Sequence, residues 1–256
     1  MRLFKHLRDP VYVHRPTQIL TRVWRLIRGC RERETTTLPW GGQLTVFGGE
    51  ANGRAILHRG LTELTVTEAC FRLSRPGTVA VDVGANVGQM TSALAHGMKK
   101  GRLHAFEPHP AIYPVLEENG RQIAREVEGV SLDVHNVAVG RASGTETLHV
   151  PDAWSENYGL ATMQDTSDAE AVQVDVCRLV DVLNGPIQLL KIDVEGHEAA
   201  VLDGARGLLT GHKINHVLFE EHSFGNSAVV ERLENAGYEI FSVERTLRGP
   251  KLKNPC

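Results

Sequence analysis

Val79-Ala80-Val81-Asp82-Val83-Gly84-Ala85-Asn86-Val87-Gly88-Gln89 decides the fold of this 256-residue chain. Its first five residues are nearly all apolar, as expected of a short strand buried on both faces of a parallel sheet. The glycines that follow allow a tight turn and close approach of backbone to a ligand, and a helix is expected from about Val87 to Met98. A strand that turns directly into a helix puts residues 82–88 where open α/β sheets hold their ligands. A dinucleotide fingerprint would need glycine at 84, 86 and 89, but positions 86 and 89 are Asn86 and Gln89. No Lys or Arg between 82 and 98 is available to meet a phosphate. Asp82 at the mouth instead suits a ligand with a positive group, such as an amino acid moiety or a sulfonium.

Downstream, strands and helices alternate. Expected strands are 103–107, 130–139, 187–194 and 215–221, with helices at about 111–127, 197–209 and 228–236. Residues 145–150 and 171–176 read as antiparallel additions around a long loop, which is expected to act as a lid. Trp154 and Tyr158 in that loop are candidates for a wall over the acceptor. The alternation predicts a doubly wound α/β sheet with ligands at the carboxyl ends of its strands.

Upstream, Ile19, Leu20, Val23, Trp24 and Ile27 form the apolar stripe of one helix, interleaved with Arg22, Arg25 and Arg28. Residues 38–49 read as a glycine-turn strand pair, and a second helix is expected over about 62–73. Domain boundaries follow: a basic helical arm and cover segment over 1–77, and the sheet domain over 78–256.

Composition narrows the class. With 41% hydrophobic residues and no apolar run approaching the roughly eighteen a membrane span needs, the chain reads as globular and cytoplasmic. Cys30, Cys70, Cys177 and Cys256 are far apart and read as reduced thiols. Residues 1–34 hold nine Lys or Arg against three Asp or Glu, a balance of +6, which leaves the rest of the chain at −9. A mildly acidic body argues against a nucleic-acid-binding domain. The arm suits packing on its own domain, pairing in a homodimer, or peripheral contact with a membrane or lipid-linked substrate.

Two further motifs carry chemistry. Glu107 closes the second strand of the alternating region and can accept two hydrogen bonds from the vicinal hydroxyls of a ribose. With no pyrophosphate cradle beside it, the pocket reads as nucleoside-binding, and S-adenosyl-L-methionine fits both ends. Lys191-Ile192-Asp193-Val194-Glu195-Gly196-His197-Glu198 crowds carboxylates and an imidazole at the end of a central strand, an expensive set to bury unless paired or ligand-bound.

VDVGANVGQ, HAFEP, HNVAVG and LLKIDVEGHEAAVLDGA, in this order and spacing over about residues 78–222, resemble the FkbM family of S-adenosylmethionine-dependent methyltransferases. KIDVEGHE followed by VLDGA is the specific part; the glycine loop alone marks only the wider class I methyltransferase superfamily. The resemblance implies a Rossmann-like, mostly parallel seven-stranded sheet with helices on both faces. It also implies methylation, usually of a hydroxyl on a small molecule, sugar, glycolipid or natural product. Carried over by position, Asp82, Gly84, Asn86 and Gly88 would hold the methionine part, Glu107 the ribose, and Asn136, Val137 and Ala138 would border the adenine, with Asp193 also at the cofactor. Where the family commonly shows a Leu-Asp-Asp-like run, this chain reads Leu179-Val180-Asp181.

His197 is the first candidate for general base and Asp193 the second, since a neutral-range imidazole accepts a proton with little tuning. Asp193, Glu195, Glu220 and His222 could also supply oxygen-rich ligands to a divalent metal, a reading ranked below metal-free transfer. Two rival functions use the same architecture: a nicotinamide-dependent oxidoreductase, opposed by Asn86 and Gln89, and a non-catalytic adenosyl-binding protein, which would not need the 193–198 cluster.

Overall fold

The computed structural model describes residues 31–151, 161–163, 169–220, 227–246 and 249–253. Residues 31–77 form a hairpin, β1 (Arg33–Thr37) and β2 (Gln43–Phe47), and two helices, α1 (Ala51–Arg59) and α2 (Leu64–Leu73). Then come β3 (Thr78–Val83), α3 (Gln89–Met98), β4 (Gly101–Phe106), α4 (Tyr113–Glu126) and β5 (Val130–His135). β6 (Ala138–Val139), β7 (Gly144–Pro151), β8 (Ala169–Cys177), α5 (Leu179–Val182) and β9 (Ile187–Ile192) follow. The described chain closes with α6 (Glu198–Gly204), α7 (Arg206–Thr210), β10 (Ile214–Phe219), α8 (Ala228–Asn235), β11 (Ser242–Thr246) and β12 (Gly249–Lys253).

The central sheet runs β10-β9-β3-β4-β5, and every pairing in it is parallel. From β3 the chain builds outward through β4 and β5, then returns to lay β9 and β10 on the other side of β3. The loops leaving β3 and β9 therefore diverge, and a crevice opens between them at the carboxyl ends. Strand alternation sorts the core into two layers. Ala80, Leu103 and Leu189 pack with Ala93, Leu94 and Met98 of α3 on one face. Val81, Val83, Leu190 and Ile192 pack with Val201, Leu202 and Leu208 of α6 and α7 on the other. Both faces are covered, which is why β9 reads as Ile-Gln-Leu-Leu-Lys-Ile and is buried throughout.

Several expectations are revised. Among the described residues the parallel sheet has five strands, not seven. The expected strand over 130–139 divides: β5 stays in the parallel sheet while β6 joins β8 and β7 in a second, three-stranded sheet. The division falls at Asn136, whose Nδ2 donates to the carbonyls of Glu107 at 2.9 Å and Pro108 at 3.1 Å and so turns the chain away. β11 and β12 form a separate two-stranded sheet. The single helix expected over 197–209 is two short ones, interrupted at Ala205 with φ −102° and ψ 4°.

Residues 31–77 share a core with the sheet domain. Leu38, Leu44, Val46, Phe47, Ile56 and Leu57 pack with Val87, Ile112 and Val115. The buried Asn119 amide stitches the two together. Its Oδ1 accepts from Thr45 N at 2.8 Å, and its Nδ2 donates to the carbonyls of Thr45 at 2.8 Å and Val87 at 2.7 Å. The arm helix over 19–27, the lid residues Trp154 and Tyr158, and His222 lie outside the described residues. No helix among the described residues is long and apolar enough to cross a membrane.

Candidate active site

Adjacent strand ends supply the parts of the crevice. β3 delivers Gly84 to Val87 and Gln89, β4 delivers Glu107, and β9 delivers Asp193 to Glu195 and His197. The segment after β5 adds Val137 and Ala138, and the described residues 161–163 between β7 and β8 add Ala161 and Met163. All of these line one cavity.

A buried charge network forms its floor. Asp82 is fully buried, and its Oδ2 accepts from Thr91 Oγ1 at 2.7 Å. Its Oδ1 lies 3.1 Å from the Nζ of Lys191, the residue opposite it in the β3–β9 register. Lys191 Nζ also lies 3.3 Å from Asp193 Oδ2 and donates to the Gly84 carbonyl at 3.0 Å. Burial works against the charge on Lys191, but Asp82 and Asp193 outweigh it and hold the ammonium pKa above its usual value. One buried lysine thus ties the loop after β3 to the loop after β9.

The two loops nearly touch. Gly84 adopts φ +72°, and a Cβ there would stand 1.8 Å from the Asp193 carbonyl oxygen, so only glycine fits. Gly88, at φ +93°, is a packing glycine: a Cβ would meet the Leu116 side chain at 2.9 Å.

Glu107 forms the opposite wall. Its Oε2 accepts from Asn86 N at 3.0 Å and its Oε1 from His109 N at 2.9 Å, which fixes the carboxylate against the glycine loop. Burial pushes its pKa up to about 7, against those two backbone donors and the Lys191 ammonium, which favour the charge. Each oxygen keeps a further lone pair for a ligand hydroxyl. Phe106, Val137 and Val139 provide an apolar surface beside it.

His197 opens α6 and lines the cavity. Its Nε2 is buried with no hydrogen-bond partner among the described residues. Burial lowers its pKa despite the pull of Glu146 and Glu198, which favours the neutral imidazole. Glu195 carries φ +42°, and its carbonyl accepts from Thr162 Oγ1 at 2.7 Å, tying residues 161–163 to the loop after β9.

Gly84, Asn86, Glu107, Val137, Ala138, Asp193 and His197 therefore meet in one cavity. Asp82, Gly88 and Asn136 stand behind it as supports, occupied by Lys191 and Thr91, by Leu116, and by the Glu107 and Pro108 carbonyls. Among the described residues, which include Asp193, Glu195 and Glu220 but not His222, no group of three or more His, Cys, Asp or Glu is placed to hold a metal ion. At the Leu179-Val180-Asp181 run, Val180 packs against the core and Asp181 binds Arg178 at 2.7 Å and Ser143 at 2.9 Å.

Sequence reasoning gave no role to Lys191 and did not find Glu63. Lys191 leaves a signal, the one charged residue of a fully buried strand, which must find a carboxylate. Glu63 left none, because it reaches the cavity from a segment remote in sequence.

A parallel sheet with a carboxylate-walled crevice at its switch point defines a Rossmann-like α/β protein whose ligand site lies at the carboxyl ends of its strands. The chain belongs to the methyltransferase FkbM domain family, whose model matches residues 82–240. It is 32% identical over 194 residues to Methyltransferase 1 of Beauveria bassiana, covering 64% of this chain and 73% of that protein. It is 29% identical over 248 residues to the 31-O-demethyl-FK506 methyltransferase FkbM of Streptomyces tacrolimicus, covering 84% and 92%. The crystal structure of methyltransferase FkbM from Methylobacillus flagellatus superimposes with a TM-score of 0.37 at 21% identity, over 58% of this chain and 38% of that one.

Proposed function

We propose that this methyltransferase uses S-adenosyl-L-methionine to methylate a hydroxyl group on a small molecule, sugar, glycolipid or natural product. The observation that carries the cofactor reading is Glu107, a buried carboxylate with both oxygens fixed by backbone N–H groups and facing a cavity that begins at the glycine loop. That arrangement fits a ribose diol, and Phe106, Val137 and Ala138 beside it fit an adenine. The carboxylates Asp193, Glu195 and Glu220 on the same cavity suit a ligand of positive charge. O-methylation is supported by the Streptomyces relative, whose name records it.

S-adenosylmethionine, when bound, supplies an electrophilic methyl group whose transfer to an acceptor hydroxyl leaves one proton to be taken up. His197 is the first candidate to take up that proton: it lines the cavity, and burial favours its neutral imidazole. Asp193, whose Oδ2 is held by Lys191, is the second candidate for that proton and also a candidate contact of the cofactor on this side of the cavity. The crossing of the loops at Gly84 and Asp193 fixes their spacing, and such alignment can supply roughly 7–11 kcal/mol of the barrier.

Calorimetry with S-adenosylhomocysteine and with NADH tests the cofactor: binding of NADH alone would overturn it. Incubation with S-adenosylmethionine and a panel of hydroxylated metabolites and glycolipids, read by mass spectrometry, should show the gain of one methyl group. Methylation confined to amine or carbon acceptors would overturn the hydroxyl reading.

A further inference from the structure

Glu63 lies outside the stretch matched by the family model, between α1 and α2, yet it lines the same cavity as Gly84 and Asp193. Its position is enforced. The Gln89 amide, at the start of α3, grips the preceding residue. Its Oε1 accepts from Thr62 N at 2.8 Å and Thr62 Oγ1 at 3.1 Å, and its Nε2 donates to the Thr62 carbonyl at 3.0 Å. The Glu63 backbone is left-handed, φ 46° and ψ 56°, a conformation costly for a residue with a Cβ and one that clusters at ligand sites.

The electrostatic surroundings are unbalanced. Glu63 is exposed and lines the crevice. Partial burial and then the Asp193 carboxylate raise its pKa, with Glu220 and Asp82 adding to them and Lys191 alone opposing. The Lys191 ammonium is already shared among Asp82, Asp193 and the Gly84 carbonyl. Two carboxylates, Glu63 and Asp193, therefore face the same space with their nearest cation committed elsewhere. A ligand ammonium, with three donors, would satisfy both; a sulfonium has no N–H or O–H to donate. Sheet order separates this corner from the ribose wall. Asp193 follows β9 on one side of β3, and Glu107 follows β4 on the other.

We propose that Glu63 is a cofactor-binding residue that receives, together with Asp193, the α-ammonium group at the amino acid end of S-adenosylmethionine. The assignment rests on the cofactor reading above and adds a residue from the 31–77 segment to it. Asn86 and Gln89, which remove the dinucleotide fingerprint, thereby gain separate tasks. Asn86 N binds Glu107 at the ribose wall, and Gln89 sets Glu63 at the ammonium corner.

The test is calorimetry on the full chain, wild type and Glu63→Gln, with two probes: S-adenosylhomocysteine, and the analogue that lacks only the α-amino group. Glu63→Gln should weaken S-adenosylhomocysteine by about 10–100-fold, the loss expected of one charge-assisted hydrogen bond. The deaminated analogue should bind both proteins with affinities within about twofold of each other. The melting temperature of the ligand-free protein should not fall, because the substitution relieves repulsion from Asp193. Equal losses for both probes, unchanged binding of S-adenosylhomocysteine, or a lower ligand-free melting temperature would each overturn the assignment. If wild-type protein bound neither probe, the cofactor reading itself would fail; wild-type binding that Glu63→Gln left intact would remove Glu63 alone.

Discussion

Replacing Lys191 with Met should destabilise the fold through a specific buried carboxylate. Lys191 is 3% exposed and its partner Asp82 is fully buried, so the variant leaves the Asp82 charge with Thr91 Oγ1 as its one remaining hydrogen-bond donor among the described residues. Breaking a buried ion pair by removing one member costs about 3–5 kcal/mol, because the survivor keeps its desolvation penalty. Asp193 contributes little to this figure, since its side chain is 28% exposed and water can solvate it. For a chain of this length, about 2–4 °C per kcal/mol converts the loss to a fall in melting temperature of roughly 6–20 °C. Thermal and urea denaturation measure it, with the urea slope expected to stay constant. The double variant Asp82→Asn, Lys191→Met removes the stranded charge and should recover about 1–3 kcal/mol of the loss. A Lys191→Met protein within about 1 kcal/mol of wild type, or a double variant whose losses simply add, would refute the network as described.

Glu107 should impose a pH dependence with a definite sign. Its folded pKa of about 7 lies above the ordinary 4.5, so its contribution to ligand-free stability is fully present below about pH 4.5 and is lost as pH rises through about 7. The change is of the order of 3 kcal/mol, and Glu107→Gln should abolish that part of the stability–pH slope in denaturant titrations. Ribose hydroxyls bind the ionised carboxylate better, so S-adenosylhomocysteine affinity should rise from pH 6 to pH 8 with proton release, measurable by calorimetry in buffers of different ionisation enthalpy. Gly84→Ala should abolish cofactor binding and cost at least about 2 kcal/mol, since the new Cβ meets the Asp193 carbonyl at 1.8 Å and the backbone is at φ +72°. His197→Ala should lower turnover by about 10²–10⁴-fold with S-adenosylhomocysteine affinity unchanged; equal turnover would remove it from proton transfer.

Local pattern was enough for much of this fold. The apolar run 79–83 followed by glycines implied a strand–turn–helix unit, and the same alternation located β4, α4, β9 and β10 to within a few residues. Hydrophobic periodicity is a local property, so neighbours in the chain reveal it. The glycine loop, Glu107, Asp193 and His197 were visible for the same reason: each is a polar break at the end of an apolar strand. Strand partnership was not visible. The split at Asn136 depends on carbonyls that follow β4, and β11 pairs with β12, neither of which the local pattern carries.

The opening stretch illustrates where chain-local reading stops. Asp82 at a strand end was read as a ligand contact, and composition could not distinguish that from its place in the fold as the buried partner of Lys191, more than a hundred residues away. Glu63 was invisible for the converse reason: only the packing of residues 31–77 on α3 brings it to the crevice. Residue order along the chain specifies strands, helices and the polar breaks between them, because those depend on neighbours a few positions apart. Which carboxylate supports the cavity and which faces into it depends on contacts that exist once the sheet has closed, because burial and charge pairing act through space.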